Sequence, residues 1–151
     1  MKEKFPYLGN DVLITQDMCD LNEHMNVIYY AKIFEDEFPF YDSLGFTSDY
    51  FKQGYSFFTL EMNIRYLKEM RKGEIASPCF RYFAVKPKLI HYGGVLLNES
   101  GEVSSITENV LIHVDMNTRK SCEMSDSTID HLNDMVAVHS ATGEIDFELR
   151  L

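Results

Sequence analysis

The sequence lacks several features that would assign the chain to a common class. Its longest apolar runs fall well short of the roughly 20 residues that a membrane-spanning helix needs, and its start (Met1-Lys2-Glu3-Lys4) is no signal-peptide pattern. It contains no internal repeat and no low-complexity tract. Its three cysteines, which are odd in number and far apart, form no Cys-x-x-Cys pair. We therefore expect a cytoplasmic protein in a reducing environment, without a disulfide framework or a structural zinc site.

Basic residues are also scarce, at 14 Lys and Arg against 24 Asp and Glu, for a formal net charge of −10. This balance argues against nucleic acid as the main partner. Half of the basic residues nevertheless lie between Arg65 and Lys88. An anionic ligand is expected to dock there, with a solvated mixed-charge surface as the equally weighted alternative. The five histidines show no paired ligand spacing, so no metal is expected.

Hydrophobic periodicity indicates an α+β protein of 151 residues with one core. Apolar residues recur at helical spacing from Met25 to Tyr41, around most of the circumference, which is typical of a buried helix. Pro39 is expected to kink this helix or start a second turn, and Gly45 to end it. A short strand is expected at residues 12–14, before the helix.

Downstream of the helix the period changes to that of strands. Phe58, Leu60, Met62, Ile64 and Tyr66 alternate with polar residues, which predicts a half-buried strand. Further strands are expected at 75–85, with Pro78 at an edge or bulge, at 89–97, with Gly93 and Gly94 as a bend, and at 103–114, after a turn at 98–101. These four strands predict one long antiparallel sheet wrapped around one central helix. Residues 129–138 could form a short helix, and residues 145–151 an extra strand or a loose tail.

Residues 20–26 contain the densest cluster of potentially catalytic side chains, with two carboxylates, two amides and an imidazole at the start of the predicted helix. A helix N-terminus offers unpaired N–H groups and favours developing negative charge, and a neighbouring carboxylate can act as base or nucleophile. The structural alternative is a capping box, because Asp20 precedes Glu23 by three residues. That alternative leaves Asn22, His24 and Asn26 unexplained.

Residues 20–30 resemble the Asp-Tyr-Asn-Gly-His-Met-Asn-x-x-Tyr-Tyr signature of hotdog-fold acyl-CoA thioesterases of the 4-hydroxybenzoyl-CoA thioesterase class. Within that class they are most similar to the betainyl-CoA thioesterases of carnitine breakdown. Residues 58–67, Gly73, and a segment from Thr107 to Arg119 agree with the pattern, so that the similarity runs from about residue 12 to about 121. The resemblance implies a single hotdog domain over 1–151, with about 122–151 as a C-terminal extension.

The resemblance further implies hydrolysis of a small acyl-CoA, with Asp20 in the position of the catalytic carboxylate. The thioester oxygen would be held by N–H groups near Glu23 to Met25, and Asn22 and His24 would orient water, substrate or Asp20. It also implies a homodimer or dimer of dimers, with each site between two protomers. No cofactor is expected beyond the coenzyme A of the substrate. Glu23 departs from the family glycine, and Met18 from a family aromatic residue.

The remaining candidate site residues concern substrate binding. For the acyl group these are Glu23, Met25, Asn26, Tyr29, Tyr30 and Phe58. Glu23 could attract a cationic acyl group, and the three rings could surround a quaternary ammonium, although aromatic residues at helical spacing are more often core. For coenzyme A the candidates are Arg71, Lys72, Lys86 and Lys88. A non-catalytic acyl-thioester-binding hotdog protein and, less favoured, a hotdog dehydratase are the alternative functions.

Overall fold

The structure, a computed structural model, describes residues 1–43 and 48–151. This part of the chain contains seven strands and four α-helices. The strands are β1 (Tyr7–Leu8), β2 (Val12–Leu13), β3 (Tyr55–Tyr66), β4 (Ile75–Lys86), β5 (Leu89–Leu97), β6 (Val103–Asp115) and β7 (Lys120–Ser121). The helices are α1 (Val27–Asp36), α2 (Phe40–Ser43), α3 (Ser48–Lys52) and α4 (Asp126–Ser140). Short 3-10 helices span Lys2–Lys4 and Gln16–Met18.

The sheet has the order β1-β4-β5-β6-β3, with β2 also paired to β4 and β7 to β6. All pairings are antiparallel. The four long predicted strands are confirmed within a few residues of their expected bounds, and the turn at Asn98–Gly101 separates the third of them from the fourth. The expected first strand at 12–14 is only two residues long and follows the equally short β1. This sheet packed on α1 is the predicted hotdog fold.

Helix α1 buries one face. Tyr30, Ile33 and Phe34 are buried against the sheet, and the Phe34 ring lies 6.2 Å from the Phe80 ring. The expectation of a helix buried all round is wrong for this chain, since Val27 and Ile28 remain 55% and 63% exposed. The helix ends at Asp36, and α2 begins directly after Pro39, so that the proline starts a second turn. The predicted end at Gly45 lies outside the described residues.

Strand β3 runs along one edge of the sheet, and its register shifts between Thr59 and Glu61. The simple alternation predicted for residues 58–66 is therefore not seen. Beyond the bulge Ile64 packs against the core cluster, but residues 62–65 are all half-buried and Tyr66 is exposed. Before the bulge the phase is reversed, with Phe57 buried and Phe58 exposed. One extra residue inverts the side-chain alternation, and the sequence pattern gave no sign of it.

Gly93 and Gly94 serve packing, whereas the sequence predicted a bend. A side chain at Gly93 would meet the Phe83 ring and the Thr107 carbonyl at 2.7 Å, and one at Gly94 would meet the Phe80 ring at 2.8 Å. Both lie inside the continuous strand β5. Pro78 lies within β4, opposite the gap between β1 and β2, and its carbonyl accepts the Gly9 N–H at 3.0 Å.

The C-terminal extension packs against the sheet. Helix α4 is longer than predicted, buries Leu132 in the core, and places His139 Nδ1 as acceptor for the Tyr82 N–H at 2.9 Å. The last residues form neither of the predicted alternatives, a strand or a loose tail. Phe147 stacks on Phe5, and the buried Glu108 carboxylate accepts the backbone N–H groups of Arg150 (2.8 Å) and Leu151 (3.2 Å).

None of the described helices has the length and apolar character required to cross a membrane. The cytoplasmic location expected from the sequence stays a prediction.

Candidate active site

The residues between Asp20 and Glu23 form a tight turn. The Glu23 N–H donates to the Asp20 carbonyl at 3.0 Å, and Asp20 Oδ1 accepts the Asn22 N–H at 2.8 Å. The capping-box alternative is wrong for α1, because Asn26 is the N-cap and its side chain accepts the Ile28 N–H at 3.1 Å. Asp20 is therefore free of any helix-capping role, and its carboxylate is held by the turn itself.

The chain then folds back on this turn and brings the three predicted catalytic side chains together. Cys19 and Met25 form an isolated antiparallel bridge, and the Asp20 N–H donates to the His24 carbonyl at 3.2 Å. This places His24 Nδ1 4.0 Å from Asp20 Oδ1 and 3.4 Å from the Met25 carbonyl. The second Asp20 oxygen, Oδ2, has only a 3.5 Å contact with the Asn22 amide. Oδ2 thus retains acceptor capacity, while Oδ1 is the oxygen that lies nearest to the imidazole.

Glu23 occupies the turn position at which the backbone is left-handed, with φ 63°. This conformation favours glycine, because a Cβ crowds the following carbonyl. The glycine found at this position in the family signature therefore fits the backbone that the turn requires. The Glu23 side chain is exposed and borders a surface depression that Arg71 and Lys72 also line.

The backbone at Glu23 gives a stability prediction. We expect Glu23→Gly to have a free energy of unfolding about 0.5–1 kcal/mol higher than that of Glu23→Ala, since only glycine removes the left-handed strain. Alanine is the matched control because it removes the same charge and keeps a Cβ. Urea unfolding of the two variants measures the difference. Equal unfolding midpoints would show that the turn carries no strain at this residue.

The free N–H groups near the helix start differ from those expected. Glu23 and Met25 already donate, to the Asp20 and Met70 carbonyls, the second at 2.7 Å. Within residues 1–43 and 48–151, the N–H groups of His24 and Val27 form no hydrogen bond. Val27 is the first residue of α1, so its N–H points out of the positive end of the helix dipole. The candidate oxyanion donors are therefore His24 and Val27.

Both of these residues border one cavity of about 250 Å³. Tyr30 forms another part of its wall, with its ring edge-to-face against Tyr66 at 5.1 Å. The remaining wall comes from the connection that follows β3, at Leu67, Lys68 and Glu69. None of these three residues was among the predicted site residues, because they lie about 40 positions from the motif. The long strand β3 ends over the start of α1, and only the folded sheet shows this.

The rings predicted to surround a cationic group do not meet in one place. Tyr30 lies in the cavity wall and Tyr29 is partly buried against the core. Phe58 is exposed, and its ring has the Arg119 guanidinium carbon 5.4 Å from its centroid. Met25 borders the cavity, and Asn26 serves as the helix cap.

The four basic residues predicted to bind coenzyme A fall at opposite ends of β4. Arg71 and Lys72 precede the strand, whereas Lys86 ends it and Lys88 follows it. A 12-residue strand is roughly 40 Å long, so one protomer does not present the four as a single patch. Arg71 is also partly neutralised by an ion pair with Glu69.

Cys19 is partly exposed, and its Sγ contacts the Thr15 carbonyl at 3.5 Å. Among the described residues, no group of three or more His, Cys, Asp or Glu side chains is arranged to hold a metal ion.

A protein-family comparison agrees with this fold and site. Residues 14–132 match the model of the thioesterase-like superfamily. Because the match covers most of the chain, including the turn, α1 and the sheet, the protein belongs to the thioesterase-like superfamily.

Individual relatives point in the same direction. The chain is 27% identical over 133 residues to an L-carnitine dehydrogenase/betainyl-CoA thioesterase of Agrobacterium fabrum, a match that covers 85% of this chain but only 28% of that protein. The chain therefore spans about a quarter of the length of this curated relative. A Staphylococcus aureus protein solved in complex with CoA superposes with a TM-score of 0.79 at 23% identity, covering 93% of this chain and 89% of that one. The DHNA-CoA thioesterase of the same species gives a TM-score of 0.78 at 20% identity, covering 92% and 95%.

Proposed function

We propose that the chain hydrolyses a small acyl-CoA thioester to the free acid and coenzyme A. The observation that carries this proposal is the position of Asp20. Its carboxylate is fixed by Asn22, lies 4.0 Å from His24, and stands beside a helix start with two unpaired N–H groups. A base next to oxyanion donors is the arrangement that acyl transfer needs.

The chemistry follows from this arrangement. Asp20 accepts a proton from a water molecule as the water oxygen bonds to the thioester carbon, or the Asp20 carboxylate oxygen itself bonds to that carbon and, after coenzyme A has left, water hydrolyses the resulting acyl–Asp20 anhydride. In either case the N–H groups of His24 and Val27 stabilise the negative oxygen. The carbon–sulfur bond then breaks, and the coenzyme A sulfur takes up a proton. Asn22 keeps the carboxylate in place, and His24 orients water or Asp20.

The acyl group is proposed to be small. The cavity at the helix start has room for a short acyl chain beside Tyr30 and Tyr66. The relative from Agrobacterium fabrum bears the name betainyl-CoA thioesterase for a longer protein, and this supports betainyl-CoA as one candidate substrate. Carnitine breakdown is the corresponding metabolic proposal.

The nucleotide of coenzyme A is proposed to bind at the Arg71–Lys72 end of β4, because this end lies beside His24, which forms a bridge with Arg71. We expect Arg71→Gln combined with Lys72→Gln to raise KM several-fold and to weaken its salt dependence, since local positive charge is lost. Lys86→Gln combined with Lys88→Gln removes the same charge at the far end. Steady-state kinetics at two salt concentrations compares the pairs, and a KM raised only by the second pair would place the nucleotide there.

The protein is proposed to be a homodimer or a dimer of dimers. Strand β3 is a 12-residue edge strand with exposed Phe58, Leu60 and Tyr66, and an unpaired edge of this length and composition favours pairing with a second chain. Light scattering at micromolar concentration should give at least twice the chain mass of 17.6 kDa. A monomeric mass at that concentration would contradict the proposal.

The proposed activity is tested by the release of coenzyme A from a panel of short acyl-CoA thioesters, with the Asp20→Asn protein as the reference for uncatalysed release.

A further inference from the structure

A second cavity, of about 330 Å³, lies at the opposite end of α1 from the candidate active site. It is bordered by five aromatic residues and by the last two residues of the helix, both of them acidic: Phe38, Phe40, Tyr41, Phe57, Tyr92, Glu35 and Asp36. Helix α1 has ten residues and is therefore about 15 Å long. A thioester held at the helix start is too far away for its short acyl group to reach this cavity in the same protomer.

The rings around this cavity hold one another in place. Phe38 stacks on Tyr92 with centroids 4.0 Å apart, and Phe40 meets Phe57 edge-to-face at 5.1 Å. The Phe38 and Phe40 centroids are 5.5 Å apart. Aromatic faces carry a negative potential that attracts cations within about 6 Å. Rings fixed by mutual packing lose little entropy when a ligand binds.

The charge around the cavity is negative and only partly neutralised. Asp36 pairs with Lys32 at 2.6 Å, whereas Glu35 forms no hydrogen bond or ion pair among the described residues. Both carboxylates stand at the negative end of the helix dipole.

Three titratable groups share this environment. The surrounding protein displaces water from Glu35 and raises the pKa of its carboxyl group, and the neighbouring Asp36 raises it further. Burial likewise raises the pKa of the Tyr41 and Tyr92 hydroxyls, and the charge of Glu35 adds to the shift of both. Glu35 is thus close enough to influence both phenols.

From this combination we infer that the cavity binds a small quaternary ammonium group. Such a cation has no N–H donors, so it leaves none unsatisfied against aromatic rings. It gains attraction from the ring faces and from Glu35. A metal ion would require several oxygen ligands, and the wall is mainly aromatic. The cation can be a free small molecule, or the acyl group of a thioester bound by a second copy of the chain. The inference does not depend on thioester hydrolysis.

Calorimetric titration of the full chain with choline and with 3,3-dimethylbutanol tests the inference, because the alcohol has the same shape without the charge. We expect choline to bind roughly tenfold or more tightly than the alcohol. Glu35→Gln should weaken choline binding about fivefold or more and leave the alcohol unchanged. Glu144→Gln is the matched control, since this exposed residue carries the same charge elsewhere. Equal affinity for the two ligands, no choline binding, or equal losses in the two variants would overturn the inference.

Phe38→Leu provides an independent variant that changes no charge, and circular dichroism checks its fold. It should weaken choline binding more than alcohol binding, and an equal effect on both ligands would contradict a cation–ring contact.

Whether the cation is a free molecule or an acyl group is then tested by the ratio of kcat/KM for betainyl-CoA to kcat/KM for the neutral 3,3-dimethylbutyryl-CoA. If Glu35→Gln lowers this ratio several-fold, the cation in the cavity is the acyl group of the thioester. An unchanged ratio with weakened choline binding identifies a free cation, and either result supports the site.

Discussion

Replacing Asp20 with asparagine is expected to slow thioester hydrolysis by about 10²–10⁴-fold, the range for loss of a general base. Asparagine keeps the Oδ1 acceptor that receives the Asn22 N–H at 2.8 Å. The turn should therefore persist, and the free energy of unfolding should change by only a few tenths of a kcal/mol. The measurement is kcat for the best acyl-CoA, together with a urea unfolding curve.

Asp17→Asn is the control for the Asp20 variant. Like Asp20, Asp17 accepts a local hydrogen bond, from the Thr15 hydroxyl at 2.6 Å, but it is exposed and lies in the preceding 3-10 helix. It should retain full activity. A folded Asp20→Asn protein with nearly unchanged kcat would leave Asp20 with a purely structural role in the turn.

Replacing Val27 with proline is expected to reduce kcat by roughly 10²–10³-fold, because it deletes one of the two proposed oxyanion donors. Proline is well tolerated at the first position of a helix, where the N–H has no intrahelical partner. The preceding residue must have extended backbone, and Asn26 already does, with φ −66° and ψ 146°. Helix α1 should consequently form as before.

Val27→Ala is the matched control, since it shortens the same side chain and keeps the N–H. Its kcat should stay within a few-fold of that of the unmodified protein. Similar kcat values for the proline and alanine variants, both folded by circular dichroism, would show that the Val27 N–H does not contact the reacting oxygen.

The sequence predicts those parts of the fold that depend on local pattern. Strands β4, β5 and β6 were predicted as apolar segments bounded by turn residues such as Asn98–Gly101, and the hotdog arrangement follows from resemblance to known thioesterases. The bulge between Thr59 and Glu61 was not predictable, because it depends on how β3 pairs with β6. The exposed face of α1 was missed because apolar spacing alone does not say which partner covers a helix.

In the candidate site, too, the local features were predictable from the sequence and those that depend on distant parts of the chain were not. The motif brings Asp20, Asn22 and His24 together, since they are close in sequence and the turn is local. The available N–H groups could not be read from the motif, because the Met25 N–H is used by the distant Met70 carbonyl. The cation cavity was likewise hidden, since Tyr92 reaches Phe38 only when β5 packs over the end of α1. The basic residues expected to bind coenzyme A do not form one patch, because they lie at opposite ends of the long strand β4.

Asp20 and the start of α1 are proposed to hydrolyse a small acyl-CoA thioester. The most direct measurement is coenzyme A release from a panel of short acyl-CoA thioesters by the unmodified, Asp20→Asn and Val27→Pro proteins. We expect the unmodified protein to have a kcat/KM of about 10⁴ M⁻¹s⁻¹ or more for at least one substrate, and both variants to lose most of this activity. Binding of acyl-CoA without release above the buffer rate in the unmodified protein would contradict the claim and identify a non-catalytic acyl-thioester-binding hotdog protein.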